Sequence, residues 1–194
     1  VWDTKTQQVI GDSGRIGAPI MGDGALAFIA DDKALITASV GGRVLFLAVP
    51  SAKRVGAEER MIGHRVNAMA VDEEAGLVAF GSNQKVNIFA RPKSHDVDRG
   101  LKAQVGDAKE LFVLGDLIAE FDVRVVSSLA FFRLGQNLFC AASCYAGHLH
   151  ILNVATAQEE GRLNFEYSIM NHALRPNSNL LALTLGIAGA QESE

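Results

Sequence analysis

Short apolar runs, broken by polar and glycine-rich turns, recur along this chain, and they have strand length, not helix length. Ala25-Leu26-Ala27-Phe28-Ile29 is followed by the turn Asp31-Asp32-Lys33 and a second run, Ala34-Leu35-Ile36-Thr37-Ala38-Ser39. Gly41-Gly42 then predicts a tight hairpin into Arg43-Val44-Leu45-Phe46-Leu47. The same order of strand, turn, strand, hairpin and strand returns at once. It runs through Val66 to Val71, Asp72-Glu73-Glu74, Gly76 to Gly81, Ser82-Asn83-Gln84, and Lys85 to Phe89. A third copy spans Val125 to Phe132, Asn137 to Cys144, Tyr145-Ala146-Gly147, and His148 to Leu152. Middle strands such as Leu77 to Phe80 and Leu138 to Ala142 are apolar at consecutive positions, which predicts cover on both faces. No helical periodicity of any length competes, so the expected class is all-β.

The remaining stretches are less regular. Gln7-Gln8-Val9-Ile10 predicts a short outer strand, and six glycines and prolines between Gly11 and Gly24 predict a loop-rich connection. Residues 91–108 are polar and charged and read as a surface insertion. Leu111-Phe112-Val113-Leu114, Gly115-Asp116 and Leu117 to Phe121 suggest a further hairpin, the remnant of a shortened unit. Ser168 to Leu174 and Leu180 to Leu185 form two more strands around the turn Arg175 to Asn179.

Four places end their third strand alike: Trp2-Asp3-Thr4-Lys5, Leu47-Ala48-Val49-Pro50, Phe89-Ala90-Arg91-Pro92 and Leu152-Asn153-Val154-Ala155. Trp2, Leu47, Phe89 and Leu152 lie 45, 42 and 63 residues apart. The first two spacings fall at or near the roughly 40–45 residues of one four-stranded blade, and the third implies an insertion of about 20. With the Trp2-Asp3 end and the Gly63-His64 pair 26 residues before Phe89, the chain resembles the WD-repeat β-propeller family. The resemblance implies four-stranded antiparallel blades, here a partial ring of a longer propeller. Blade-like units are expected at about 1–12, 25–62, 64–90, 125–167 and 168–187. The two end units are complementary, with inner strands at one end and outer strands at the other, which leaves closure into a small ring as the alternative.

The resemblance has gaps. The family commonly ties a blade together through His, an Asp in the hairpin, Ser or Thr, and Trp. Here the hairpins Gly41-Gly42, Asn83-Gln84 and Ala146-Gly147 carry no Asp, and Trp2 is the one tryptophan. His64 therefore has no obvious partner in its own blade. A narrower similarity, to a large WD-repeat subunit of the small-subunit processome, lies in three stretches. They are Arg65-Val66-Asn67-Ala68 leading to Phe80-Gly81-Ser82 and Val86-Asn87-Ile88-Phe89, then Leu111 to Asp116, then Gly147 to Asn153. It implies a scaffold within a pre-ribosomal assembly.

Charge and candidate chemistry refine this picture little. A net charge of −4 and a pI near 5.7 argue against a surface built mainly for nucleic-acid phosphates, though a local patch stays open. Two cysteines suit a reducing, intracellular setting, cytoplasm or nucleus and nucleolus. The opening is polar instead of basic and then apolar, and its start within a blade suggests a piece of a longer chain. No apolar run reaches bilayer length, so no membrane partner is expected.

Cys140, Cys144, His148 and His150 place four zinc-type ligands on even positions flanking a turn. Their spacing matches no common zinc pattern, and cysteine is ordinary filling for a buried strand, so no metal is assigned. His64 reads as a turn residue and not a base. Asp31-Asp32, Asp72-Glu73-Glu74 and Glu159-Glu160 read as solvated turns. No glycine loop precedes a helix to hold a phosphate. The expectation is a non-catalytic scaffold without cofactor, binding protein partners in a multi-subunit complex; the alternative of another class is a propeller enzyme or small-molecule binder, which would need a polar cluster lining the central channel. Contacts are expected from the insertion, and Arg91, Lys93, Arg99 and Lys102 would meet phosphates if RNA were a partner.

Overall fold

The computed structural model describes residues 1–11, 26–39, 41–55, 59–60, 65–90, 93–96, 110–175 and 180–186. Within them the regular structure is entirely β, and no helix is long and apolar enough to cross a membrane. The first four-stranded sheet contains β3 (Leu26–Ile29), β4 (Ala34–Ala38), β5 (Arg43–Ala48) and β6 (Glu59–Arg60) in that order. The second runs β7 (Val66–Asp72), β8 (Leu77–Ser82), β9 (Lys85–Ala90) and then β12 (Leu117–Asp122). The third runs β13 (Val126–Leu134), β14 (Asn137–Cys144), β15 (His148–Asn153) and β16 (Gln158–Asn164). Three two-stranded ribbons complete the set: β1 (Trp2–Asp3) with β2 (Gln8–Val9), β10 (Lys93–Asp96) with β11 (Glu110–Val113), and β17 (Ser168–Leu174) with β18 (Leu181–Gly186). Every pairing is antiparallel.

The sheets stack face to face, which explains the apolar runs. Along β8, Val78 and Phe80 point into a core shared with Ile36, Val44 and Phe46 of the first sheet. Ala79, between them, points the other way, into a core shared with Cys140, Ala142 and Leu152 of the third. A third core joins Ala141 and Leu149 to Ile169 of β17. Side chains alternate across a strand, so a strand sandwiched between two sheets must be apolar at every position. The second and third sheets approach so closely that a Cβ at Gly81 would lie 2.5 Å from Val126 Cγ1.

One turn recurs. Gln7, Ala52 and Ala157 all adopt left-handed backbone, with φ of 57°, 56° and 54°. Each stands five residues after Trp2, Leu47 or Leu152, the positions aligned on sequence alone. After Phe89 the insertion begins instead, and Ser94, five residues on, lies in β10.

That insertion corrects the reading of residues 111–121. Leu111 to Leu114 does not form a hairpin with Leu117 to Phe121: β11 pairs with β10, and β12 returns to pair with β9 as the fourth strand of the second sheet. Ala90 N–H donates to Asp116 O at 2.9 Å and Gly115 N–H to Ala90 O at 3.3 Å, which closes the excursion where it opened. Alternation decides the outcome, since Ala119 and Phe121 enter the core while Leu117, Ile118 and Glu120 stay outside. The open edge of β9 supplies the backbone partners that a free strand requires. Part of the expected surface loop, 93–96, is thereby strand.

Candidate interaction surface

The repeat motif serves as turn chemistry. Asp3 Oδ1 accepts the N–H groups of Thr6 at 2.9 Å and Lys5 at 2.8 Å, and these bonds hold its carboxyl below the usual range. Asn153 Oδ1 accepts from Ala155 at 3.0 Å and Thr156 at 3.2 Å, with the same offsets. Trp2 itself is 58% exposed. Gly63 and His64 lie outside the described residues, as do Arg91, Arg99 and Lys102. Lys93 opens β10, its backbone opposite Val113.

Strand register brings Cys140, Cys144, His148 and His150 to one face, because Cys140 pairs with Leu152 and Ala142 with His150. Burial pushes both thiols up to about 12, which keeps them protonated and poor as ligands. The imidazoles have other partners. His148 Nδ1 meets Asn164 Oδ1 at 2.9 Å, and His150 Nδ1 lies 3.2 Å from Glu159 Oε2. Burial lowers the His150 pKa, and Glu159 only partly offsets it. Among the described residues, no group of three or more His, Cys, Asp or Glu side chains is placed to hold a metal ion.

Glu159 corrects a second expectation, since Glu159-Glu160 lies within β16 and not in a turn. The left-handed residue Ala157 ends the turn early, and the fourth strand starts at Gln158. Arg162 Nε and Nη2 donate to the two Glu159 oxygens at 2.8 and 2.9 Å, the main reason its carboxyl titrates low. The second sheet repeats the device. Asn87 Nδ2 donates to Glu120 Oε2 at 2.9 Å, and the Lys85 ammonium pairs with the other oxygen. In both sheets a fourth-strand carboxylate stands at a buried polar side chain of the third strand, bonded to Asn87 in one and 3.2 Å from His150 in the other, and is met by a cation.

A different set of groups reaches solvent together. Val125 N–H donates to Asn83 O at 3.0 Å, and Tyr145 N–H donates to Val125 O at 3.1 Å. Phe165 N–H donates to Gly147 O at 2.8 Å, and a Cβ at Gly147 would stand 2.8 Å from Tyr167 O. One rim is thus bonded from the second sheet to the third, and on to Phe165 of the segment that leads into β17. Val125 holds φ at 51°, a strained value for a β-branched residue, and its side chain is exposed, as are those of Tyr145 and Tyr167. Beneath the rim, Ser127 Oγ donates to Ile169 O at 2.6 Å, and Ser143 Oγ lies 2.6 Å from His172 Nδ1. Burial drives the His172 pKa down to about 4. In the sequence, Val125, Tyr145, Tyr167 and His172 stand out only as strand or turn residues, not as a site. Polar Ser143 and His172 inside apolar strands were the available signal.

Comparison with known proteins returns no matching family model and no matching curated protein. Solved structures do match. The β-propeller domain of Cps50 (Swd1) from Myceliophteria thermophila superposes with a TM-score of 0.64 at 18% identity, over 82% of this chain and 49% of that one. The fold is a β-propeller. Two computationally designed proteins are also similar. Ika4 has a TM-score of 0.63 at 11% identity, over 94% of this chain and 99% of that one. Ika8 has a TM-score of 0.57 at 11% identity, over 81% of this chain and 41% of that one. The chain spans about half the length of the Cps50 domain it matches.

In propeller terms the three complete sheets are blades, with β3, β7 and β13 innermost and β6, β12 and β16 outermost. The polar groups displaced furthest from ordinary titration, Cys140, Cys144 and His172, lie packed between blades. The rim of Asn83, Val125, Tyr145 and Tyr167 presents a rigid mixed surface, apolar at Val125 and amphipathic at the two tyrosines. Such a surface suits contact with another macromolecule.

Proposed function

We propose that this chain is a non-catalytic scaffold of WD-repeat type that binds protein partners through the rim of its second and third blades. One observation carries the proposal: strained, exposed Val125 is hydrogen-bonded through its backbone to exposed Tyr145 and to Asn83 of the second blade, on a rim that also exposes Tyr167. Strain persists only where the surroundings over-determine it, and it collects at functional positions. A rim held this way loses little conformational entropy on association, so most of the contact energy is retained. An intracellular setting, with both cysteines free and buried, belongs to the same proposal.

The test compares co-purifying proteins for the native chain, for Tyr145→Ala with Tyr167→Ala, and for Gln136→Ala on a turn at the far ends of β13 and β14. A stable set lost only with the tyrosine pair supports the proposal. A set unchanged by the pair refutes it. Capture that disappears on nuclease treatment, and on neutralising Arg91, Lys93, Arg99 and Lys102, would instead favour an RNA-bound scaffold in ribosome assembly.

A further inference from the structure

The two seams of the third blade carry different chemistry at the same place. In the seam with the second blade, a Cβ at Gly81 would stand 2.5 Å from Val126 Cγ1 and 3.2 Å from Leu129 Cδ1, so that contact is apolar. Ser143 is the counterpart of Gly81, because Ala68↔Gly81 and Ser128↔Ser143 are each the first pair after a bulge in the inner strand. β17 bulges likewise before Asn171, which makes His172 the counterpart of Leu129. The contact between the third blade and β17 is therefore polar, with Ser143 Oγ 2.6 Å from His172 Nδ1.

His172 is 8% exposed, and its Nε2 has no hydrogen-bond partner. The cheaper tautomer directs Nδ1–H to Ser143 Oγ and leaves Nε2 a bare acceptor, which an interior tolerates better than a bare donor. A proton added there makes a buried cationic N–H with no acceptor, and an unpaired buried charge is far costlier. No charged side chain answers it among the described residues. β18 turns Leu181 and Leu183 to the seam. β14 and β15 turn Ala141 and Leu149 to it, while Cys140, Cys144, His148 and His150 lie on the second-blade face. On β13, Arg133 is bonded to Asp72 of the second blade. On β16, Glu159 is bonded to Arg162, and Glu160 to Asn153. Glu166 and Arg175, at the two ends of β17, are exposed.

We propose that protonation of His172 undocks β17 from the third blade, an acid-triggered opening of this one seam. Separation of β17 from β13 and β14 is the smallest movement that brings water to Nε2. The seam between the second and third blades has Leu129 at that place and nothing to titrate. Tyr167 lies five residues before His172, and its backbone packs on Gly147 of the third blade. Movement of β17 therefore takes Tyr167 off the rim. The undocking stands on blade geometry and not on the scaffold reading, so either can fail without the other.

Thiol labelling tests it. Ala141→Cys places a thiol in the core between the third blade and β17, on the strand whose Cys140 faces the second blade. Cys140 and Cys144 are then internal controls, and their slow labelling shows that the fold is intact. The probe is a pyridyl disulfide, which reacts with thiols in acid. The Ala141→Cys thiol should react faster than both controls. Open His172 titrates at 6.5 and docked His172 at about 4, so opening gains about tenfold per pH unit as pH falls between those values. The labelling rate, taken relative to a free-thiol standard, should rise by that factor. His172→Leu and His172→Gln should each abolish the rise. Leu149→Cys on β15 reports the same core from a second position, should one substitution disturb packing. Equal and slow labelling of all three thiols overturns the proposal. So does a rate that stays flat in acid, or a rise that survives both His172 substitutions.

Discussion

The second and third blades reach the same outer-edge chemistry by different routes. In the third, a four-residue turn carries β15 directly into β16. In the second, the chain leaves after Ala90, makes the β10–β11 ribbon, and returns at Leu117 as β12. Yet Glu120 meets Asn87 and Lys85 much as Glu159 meets His150 and Arg162. Sheet register places these carboxylates, and the length of connecting chain does not. The blades differ in what the carboxylate holds. Asn87 is an amide at any pH, whereas His150 titrates, as does His172 of β17.

The largest break in this comparison is Phe80→Ala. Phe80 stands two residues before the end of β8, as Ala142 does in β14. The change gives the second blade the third blade's side chain but not its surroundings, and Phe80 is fully buried. Denaturant unfolding should show a loss of about 3–5 kcal/mol.

Next comes pH. His172 titrates near 4 when folded, below its ordinary value of 6.5, and the unfolded chain therefore binds more protons between those values. Stability should be complete above pH 6.5 and fall as pH drops toward 4, by roughly 2–3 kcal/mol. His150 adds in the same direction. Above the ordinary carboxylate value of 4.5 the loss belongs to histidines; below it, protonation of Glu120 and Glu159 removes more. His172→Gln should flatten the upper part of the profile, and a profile that keeps its slope would contradict the assignment.

Smaller again is Glu120→Ala, which strips the buried Asn87 amide of its acceptor. Its Oδ1 already lacks a partner. About 1–2 kcal/mol is expected, at the lower end for such losses because the Glu120 side chain is 41% exposed. Glu159→Ala should cost less, about 1 kcal/mol or below, since neutral His150 has little to lose from an ion-pair partner. A reversed order of these two, measured by the same unfolding assay, would break the parallel between the blades.

Much of the strand pattern is legible in the chain. Runs such as Leu77 to Phe80 and turns such as Gly41-Gly42 are local signals, and the alignment of Trp2, Leu47 and Leu152 reappears as three left-handed turns. The candidate surface is scarcely legible. Val125, Tyr145 and Tyr167 carry no spacing rule, and they become one rim only when neighbouring blades dock. The Cys140, Cys144 and His150 face was readable from alternation, but not its fate, since the partners of both imidazoles come from β16.

Sequence by itself determined the all-β class, the blade-length period and the residues that turn the chain, because alternation and turn chemistry act over a few residues. Only the tertiary structure decided that β12 completes the second blade across the excursion, and that Ser143 meets His172 and Arg133 meets Asp72. Those choices depend on which backbone edges stay open and which faces come within hydrogen-bond reach. Such distances arise only when blades stack.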